Sequence, residues 1–186
     1  MEYQKHNPFP AECASGINYV AGYQMYIADV YITLACYFTK PTGKPPFAMF
    51  FEDMSDIKWD QSKEFLRFLR RREGMVRFPF IRKAKMGYIR TPEEGLTHVL
   101  NLEVVLTRIM ESLKTSASQA GETYLIQFVE ELLIKQEKCK KFLECHISTQ
   151  KKLEEYSRQR RQSENPAGAS EPGEDTSLMA VAYKIF

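Results

Sequence analysis

The stretch INYVAGYQMYIADVYITLACYF, residues 17–38, sets Ile17, Val20, Ile27, Tyr31, Leu34 and Phe38 at three-four spacing, with Gln24 in line between them. Apolar residues at those offsets line one face of a helix, the face that turns to a core. A polar residue in the middle of that face is the telling detail, and the arrangement recurs three more times. Phe47, Phe51, Met54, Phe65 and Phe68 form a second stripe, and Lys58 and Gln61 fill its gap. Leu96, Val99, Leu106, Met110 and Leu113 form a third, with Glu103 in line. Leu125, Val129, Leu132, Cys139, Leu143 and Ile147 form a fourth, with Gln136 in line. Four amphipathic helices with inward polar side chains at mid-height are the plan of a bundle that holds a metal site between its helices. Here an amine and amides stand where such a site wants several carboxylates and a histidine.

The signals between the stripes set the order of the helices. The first is expected to start near residues 12–16, after Pro8 and Pro10, and to end near Phe38. A turn holding Pro41, Gly43, Pro45 and Pro46 separates it from the second, expected from Phe47 to Glu73 with Gly74 as its terminator. Residues 75–90 follow neither period, and a connection of that length suits a chain crossing the length of a bundle. The third helix has a full start signal: Thr91 as N-cap, Pro92 at the first position and Glu94 three residues after the cap. It is expected to fade from Thr115 to Gly121, and the fourth to run from about Glu122 to Arg158. Short turns make antiparallel neighbours, and one long crossover makes the second and third helices parallel. The expected organisation is an N-terminal extension (1–14), an all-α bundle (15–158) and a flexible tail (159–186). From Gln162 to Thr176 the chain is Gly, Pro, Ser, Glu and Ala without a large apolar residue, and the apolar end from Leu178 to Phe186 is too short to specify a structure.

Bulk properties narrow the function. The 186 residues suffice for one domain with a substantial core, and 44% hydrophobic with 27% charged residues is an ordinary globular composition. A net charge of +2 is no polycation, so a nucleic-acid partner is not expected. No run of about 18 apolar residues offers a membrane span, and the polar N-terminus lacks the apolar heart of a secretory signal. Cys13, Cys36, Cys139 and Cys145 have no zinc-type pairing. Cys36 and Cys139 lie on or beside apolar faces, which favours buried reduced thiols in a cytoplasmic protein over a disulfide frame; a surface role for Cys13 or Cys145 stays open. His98 and His146 are expected as packing histidines. No phosphate loop or nucleophile constellation is present.

With this helix order the sequence resembles the ferritin family, as a divergent relative of the animal heavy chain, over roughly residues 15–155. Ile17-Asn18, Tyr26, Val30-Tyr31 and Tyr37-Phe38 carry the resemblance in the first helix. Phe50, Phe51 and Ser55 carry it in the second, Leu102-Glu103 in the third, and Phe128 with Glu130 in the fourth. The resemblance implies a ferritin-like four-helix bundle with one long crossover between the second and third helices. It also implies a di-iron oxidising centre built from glutamates on the first three helices, a second-helix histidine and a fourth-helix glutamine. Gln24 falls at the first glutamate, Lys58 at the bridging glutamate of the second helix and Gln61 at the histidine. Glu103 alone is kept as a carboxylate, with Tyr31 as the tyrosine beside the site. On the fourth helix an ungapped alignment gives Glu137, whereas the stripe favours Gln136 as the inward residue. A charged lysine repels cations and cannot ligate iron. The expectation is therefore a lost oxidase site, with Lys58 and Glu103 paired across the bundle and flanked by amides. The alternative is that Lys58 snorkels outward and Glu103 finds water.

Weaker signals follow from the same resemblance. Asp53, Asp56, Asp60 and Glu64 form an acidic ridge where ferritins nucleate ferric mineral; a solvated helix face is the plain alternative. Glu130 matches one acid of the three-fold entry channel, and Gln127 sits where another would be. Arg67, Arg70, Arg71, Arg72, Arg77, Arg82, Lys83, Lys85 and Arg90 face only Glu73, a strip best suited to an interface with acids on a neighbour. The resulting expectation is a subunit for intracellular iron storage that self-assembles, or co-assembles with typical ferritin chains, into a cage holding ferric mineral. The competing one is an interaction protein on the same bundle that has left iron behind. The segment at Gln162–Thr176 stands where ferritins place a short fifth helix, so a less stable cage is expected.

Overall fold

The computed structural model describes residues 8–39, 44–78, 86–87 and 89–163. Four helices follow in order: α1 (Ala11–Phe38), α2 (Pro45–Arg71), α3 (Pro92–Gln119) and α4 (Thr123–Ser163). Expectations for residues 1–7, for Pro41 and Gly43, for Arg82, Lys83 and Lys85, and for the tail from 164 onward lie outside the described residues.

Ordered pairs of contacts fix the directions. Ser55 Oγ donates to Ala28 O at 2.9 Å and Ser62 Oγ to Ala21 O at 3.1 Å, so α1 and α2 run antiparallel. Lys114 meets Glu130, Glu103 meets Gln136 and Glu93 meets Lys151, so α3 and α4 are antiparallel too. A Cβ on Gly95 would lie 3.2 Å from Phe51, while Lys58 meets Glu103 one helical stretch further along both chains. α2 and α3 are therefore parallel, so the end of α2 and the start of α3 lie at opposite ends of the bundle. This is the four-helix architecture that the stripes and the lengths of the connections between them lead one to expect.

The core is the four stripes brought together. Ile17, Val20, Ile27, Tyr31, Phe51, Met54, Phe65, Leu96, Val99, Leu106, Leu125, Val129, Cys139 and Leu143 are all fully buried. Leu69 is buried as well, whereas Phe68 is half-buried and stacks on Phe128 at 5.0 Å. The last buried residue of α4 is Ile147, and the helix then runs to Ser163 with no further buried side chain among those described.

The ends of the helices follow local rules, with some shifts from the sequence reading. α2 starts at Pro45 rather than Phe47, because proline fits the first turn, whose N–H groups have no intrahelical acceptor. α3 carries the capping box: the Glu94 N–H donates to Thr91 Oγ1, and the Thr91 N–H donates back to Glu94. It continues through Thr115 to Gln119, past the expected fading point, because Ala117 is buried and extends the apolar stripe by one turn. Gly121 then supplies the left-handed residue, at φ 71°. At the end of α2 the left-handed position belongs to Glu73, at φ 57°, and not to Gly74. The Gly74 N–H donates to Leu69 O and the Glu73 N–H to Arg70 O, the paired bonds of a Schellman cap. Gly74 is needed for space instead: a Cβ there would lie 2.2 Å from Leu69 Cδ1.

The start of the crossover is tied down by Asn18. Its Nδ2 donates to Met75 O at 2.9 Å, and its Oδ1 accepts from the Arg77 N–H at 2.7 Å. Arg72 pairs with Glu122 at 2.8 Å and lies over the Phe9 ring, which joins the end of α2 to the start of α4. Cys13 and Cys139 are buried, and Cys36 and Cys145 are exposed. The placement of Cys36 corrects the expectation of a buried thiol: it sits one position off the stripe, on the outer side of Ala35.

Candidate functional site

Each helix contributes one or two polar side chains to the middle of the core. Gln24 (α1), Lys58 and Gln61 (α2), Glu103 (α3) and Gln136 (α4) are all buried, with Lys58 and Glu103 at 0% exposure. Their positions follow from helical periodicity: each continues the apolar stripe of its own helix, and a side chain on that face has no route to solvent. Lys58 does not snorkel out.

Glu103 is the hub. Its Oε2 accepts from Lys58 Nζ at 2.7 Å and from Gln136 Nε2 at 2.6 Å, and its Oε1 accepts from Tyr31 Oη at 3.1 Å. Gln136 closes the circuit: its Oε1 accepts from Lys58 Nζ at 3.1 Å, and its Nε2 reaches Glu103 O at 3.0 Å. One side chain from every helix is thus drawn into a single network with a positive and a negative charge at its centre. Burial alone would drive the Lys58 ammonium towards its neutral form, but the Glu103 charge and hydrogen bond outweigh it and hold the group above the ordinary lysine range. Tyr31 and Cys139 are pushed well above their usual ranges, by burial first and by the Glu103 charge second. Both therefore stay protonated beside the carboxylate.

Gln24 and Gln61 lie in the same layer but outside the network. Gln24 Oε1 is buried without a hydrogen-bond partner among the described residues. Glu137 is exposed and pairs with Lys140 at 2.7 Å, so the residue that faces the core is Gln136. The stripe, and not the ungapped alignment, identifies the inward side chain.

This donor set does not suit a multivalent cation. A single carboxylate is present and three donors already occupy its oxygens, while the ammonium supplies the positive charge that a metal would bring. Among the described residues no three His, Cys, Asp or Glu side chains gather anywhere to hold a metal ion. The acidic ridge does not converge either: Asp56 and Asp60 are exposed, Asp53 and Glu64 are half-buried, and Asp60 pairs with Lys63. Asp53 is raised above the ordinary aspartate value by burial and then by the charges of Glu52 and Asp56. Gln127 and Glu130 are exposed, and Glu130 is engaged by Lys114 at 2.7 Å. Arg67, Arg70, Arg71 and Arg77 are exposed along the end of α2 and the start of the crossover. His146 packs edge-on against Phe142 at 4.2 Å between ring centroids.

Sequence reasoning missed Ser62, whose hydroxyl clasps α1, and Asn18 as the anchor of the crossover. Ser62 carries a faint signal, one turn before Phe65 and two before Leu69, which are both fully buried. Asn18 carries none, because its partners are backbone groups 57 and 59 residues away.

Comparison with known proteins agrees with this architecture. The ferritin-like domain matches residues 14–153. The chain is 24% identical to "Ferritin, lower subunit" of Aquarana catesbeiana, across 82% of this chain and 90% of that protein. It is 26% identical to "Ferritin, middle subunit" of Salmo salar, across 70% and 74%. It is 22% identical to "Ferritin light chain, oocyte isoform" of Xenopus laevis, across 68% and 72%.

Proposed function

Because the chain belongs to the ferritin family, we propose that it is an iron-storage subunit that contributes shell and interior surface but has no iron-oxidising centre of its own. The observation that carries this reading is the Lys58–Glu103–Gln136–Tyr31 network at mid-height. In this reading Gln24, Lys58, Gln61 and Glu103 occupy the oxidising positions of a heavy-chain ferritin, and an internal ion pair stands in for the iron pair. Iron is then cargo, deposited as ferric mineral after oxidation elsewhere. The half-buried and exposed acids of α2 (Asp53, Asp56, Asp60, Glu64) are the mineral surface, and Gln127 and Glu130 line a weakened entry channel. Such a subunit works in a mixed cytoplasmic cage, where a chain with an intact centre supplies the oxidation. No helix among the described residues is long and apolar enough to cross a membrane.

A second reading keeps the bundle and drops the iron. It is favoured by the exposed Arg67, Arg70 and Arg71, which meet no acid among the described residues, and by the scatter of the α2 acids. One experiment separates the two. Iron(II) is added to the purified chain alone, to a heavy-chain ferritin alone, and to the two refolded together. Storage predicts no fast ferric absorbance from the chain alone, but a mineral core in mixed cages that contain it. Exclusion of the chain from mixed cages, or mixed cages that bind no more iron than their heavy-chain content explains, selects the second reading.

A further inference from the structure

Lys58 carries three N–H donors. Two are spent, on Glu103 Oε2 at 2.7 Å and on Gln136 Oε1 at 3.1 Å, and no described residue takes the third. Both acceptors belong to α3 and α4, so the ammonium is drawn to their side of the core. Across from it lies α1. The two serine clasps, Ser62 to Ala21 and Ser55 to Ala28, set the register of α1 against α2 and bring Gln24 level with Lys58. Gln24 has a buried carbonyl oxygen without a partner among the described residues. Gln61 lies one turn beyond Lys58 on the same buried face. A spare donor and an orphaned acceptor thus share one buried layer without touching each other.

We infer that a single internal water molecule bridges the Lys58 ammonium and the Gln24 carbonyl, with the Gln61 amide as its third partner. A buried water typically makes about three hydrogen bonds to groups that would otherwise be unsatisfied, and these three side chains supply both acceptor and donors. An ion does not fit. The Lys58–Glu103 pair is already neutral overall, so neither a second cation nor an anion finds a net opposite charge, whereas water donates to Gln24 and accepts from Lys58 at once. The bridge carries the polar network, otherwise confined to the Tyr31 side of α1, to the Gln24 turn of the same helix. This inference holds whether or not the chain stores iron.

The test is a high-resolution crystal structure of the full chain, paired with water-oxygen magnetic relaxation dispersion in solution. The expected result is a density peak within hydrogen-bonding distance, ~3.2 Å or less, of both Lys58 Nζ and Gln24 Oε1. Gln24→Leu should abolish that peak and remove one long-lived water per chain from the dispersion, with the helical content unchanged. Gln24→Met serves the same purpose if leucine does not fold. A direct Nζ–Oε1 bond with no peak, a peak with the density and distances of an ion, or identical dispersion in wild type and variant would each overturn the inference.

Discussion

At Lys58, burial and pairing pull in opposite directions, and the resulting energetics are testable. Removing one member of a buried pair leaves a desolvated charge and costs about 3–5 kcal/mol, whereas replacing both members with neutral groups of similar shape is often close to neutral. Lys58→Met alone should therefore destabilise the chain by about that amount, and Lys58→Met with Glu103→Gln far less. Urea unfolding of the four species of the double-mutant cycle reads the coupling, and additive effects would contradict the pairing. The pH dependence has a definite sign. The folded-state value of Lys58 lies above the ordinary 10.5, so its contribution is complete below the ordinary value and is lost as pH rises through the folded one. The stability of the wild type relative to the double variant should stay flat from neutrality to about pH 10 and fall only above it. A fall between pH 6 and 8 would point to another group.

Single helices show where local rules are obeyed and where they are bent. α3 has its full capping box, and α4 begins after a left-handed glycine. α2 ends on a strained residue, since a non-glycine side chain in the left-handed region costs roughly 1–2 kcal/mol. Glu73→Gly should relieve that strain and, after the added entropy of the unfolded chain, raise stability by about 0.5–1 kcal/mol. Gly74→Ala should do the opposite, because its methyl would displace Leu69 from the core. Thermal melts of the two variants test the pair together. If Gly74→Ala stabilised and Glu73→Gly did not, the roles assigned to the two positions would be reversed.

For the whole molecule, the proposed storage role rests on assembly. Under it, analytical ultracentrifugation of the full chain should show an assembly, alone or after refolding with a typical ferritin chain. A monomer in both conditions would remove the cage and with it the storage reading. Within an assembled chain, Gln24→Glu, Lys58→Glu and Gln61→His together should restore part of the iron(II) oxidation seen by stopped-flow absorbance, because they return carboxylates and an imidazole to the buried layer. The triple variant should also be less stable without metal, since the added carboxylates repel one another beside Glu103.

By itself, the sequence determined the four helices, their order, the long connection between the second and the third, and the mid-stripe register of Gln24, Lys58, Gln61, Glu103 and Gln136. All of these rest on a 3.6-residue period and on proline, glycine and cap signals, which act within one helix and are legible from spacing alone. Sequence spacing also favoured Gln136 over Glu137, one position and a 100° turn apart, and the structure decided between them. Only the tertiary structure decided that Lys58 stays inside, that Glu103 takes three donors at once, that Gln24 is left with an orphaned oxygen, and that Asn18 holds Met75 and Arg77. Each depends on distances between groups far apart in the chain, and such distances are set by how the helices pack and in what register. Cys36 shows the limit at the level of a single residue. It lies next to the apolar stripe of α1, and whether that flank is covered depends on the width of the neighbouring helix contact, which the spacing of α1 does not encode.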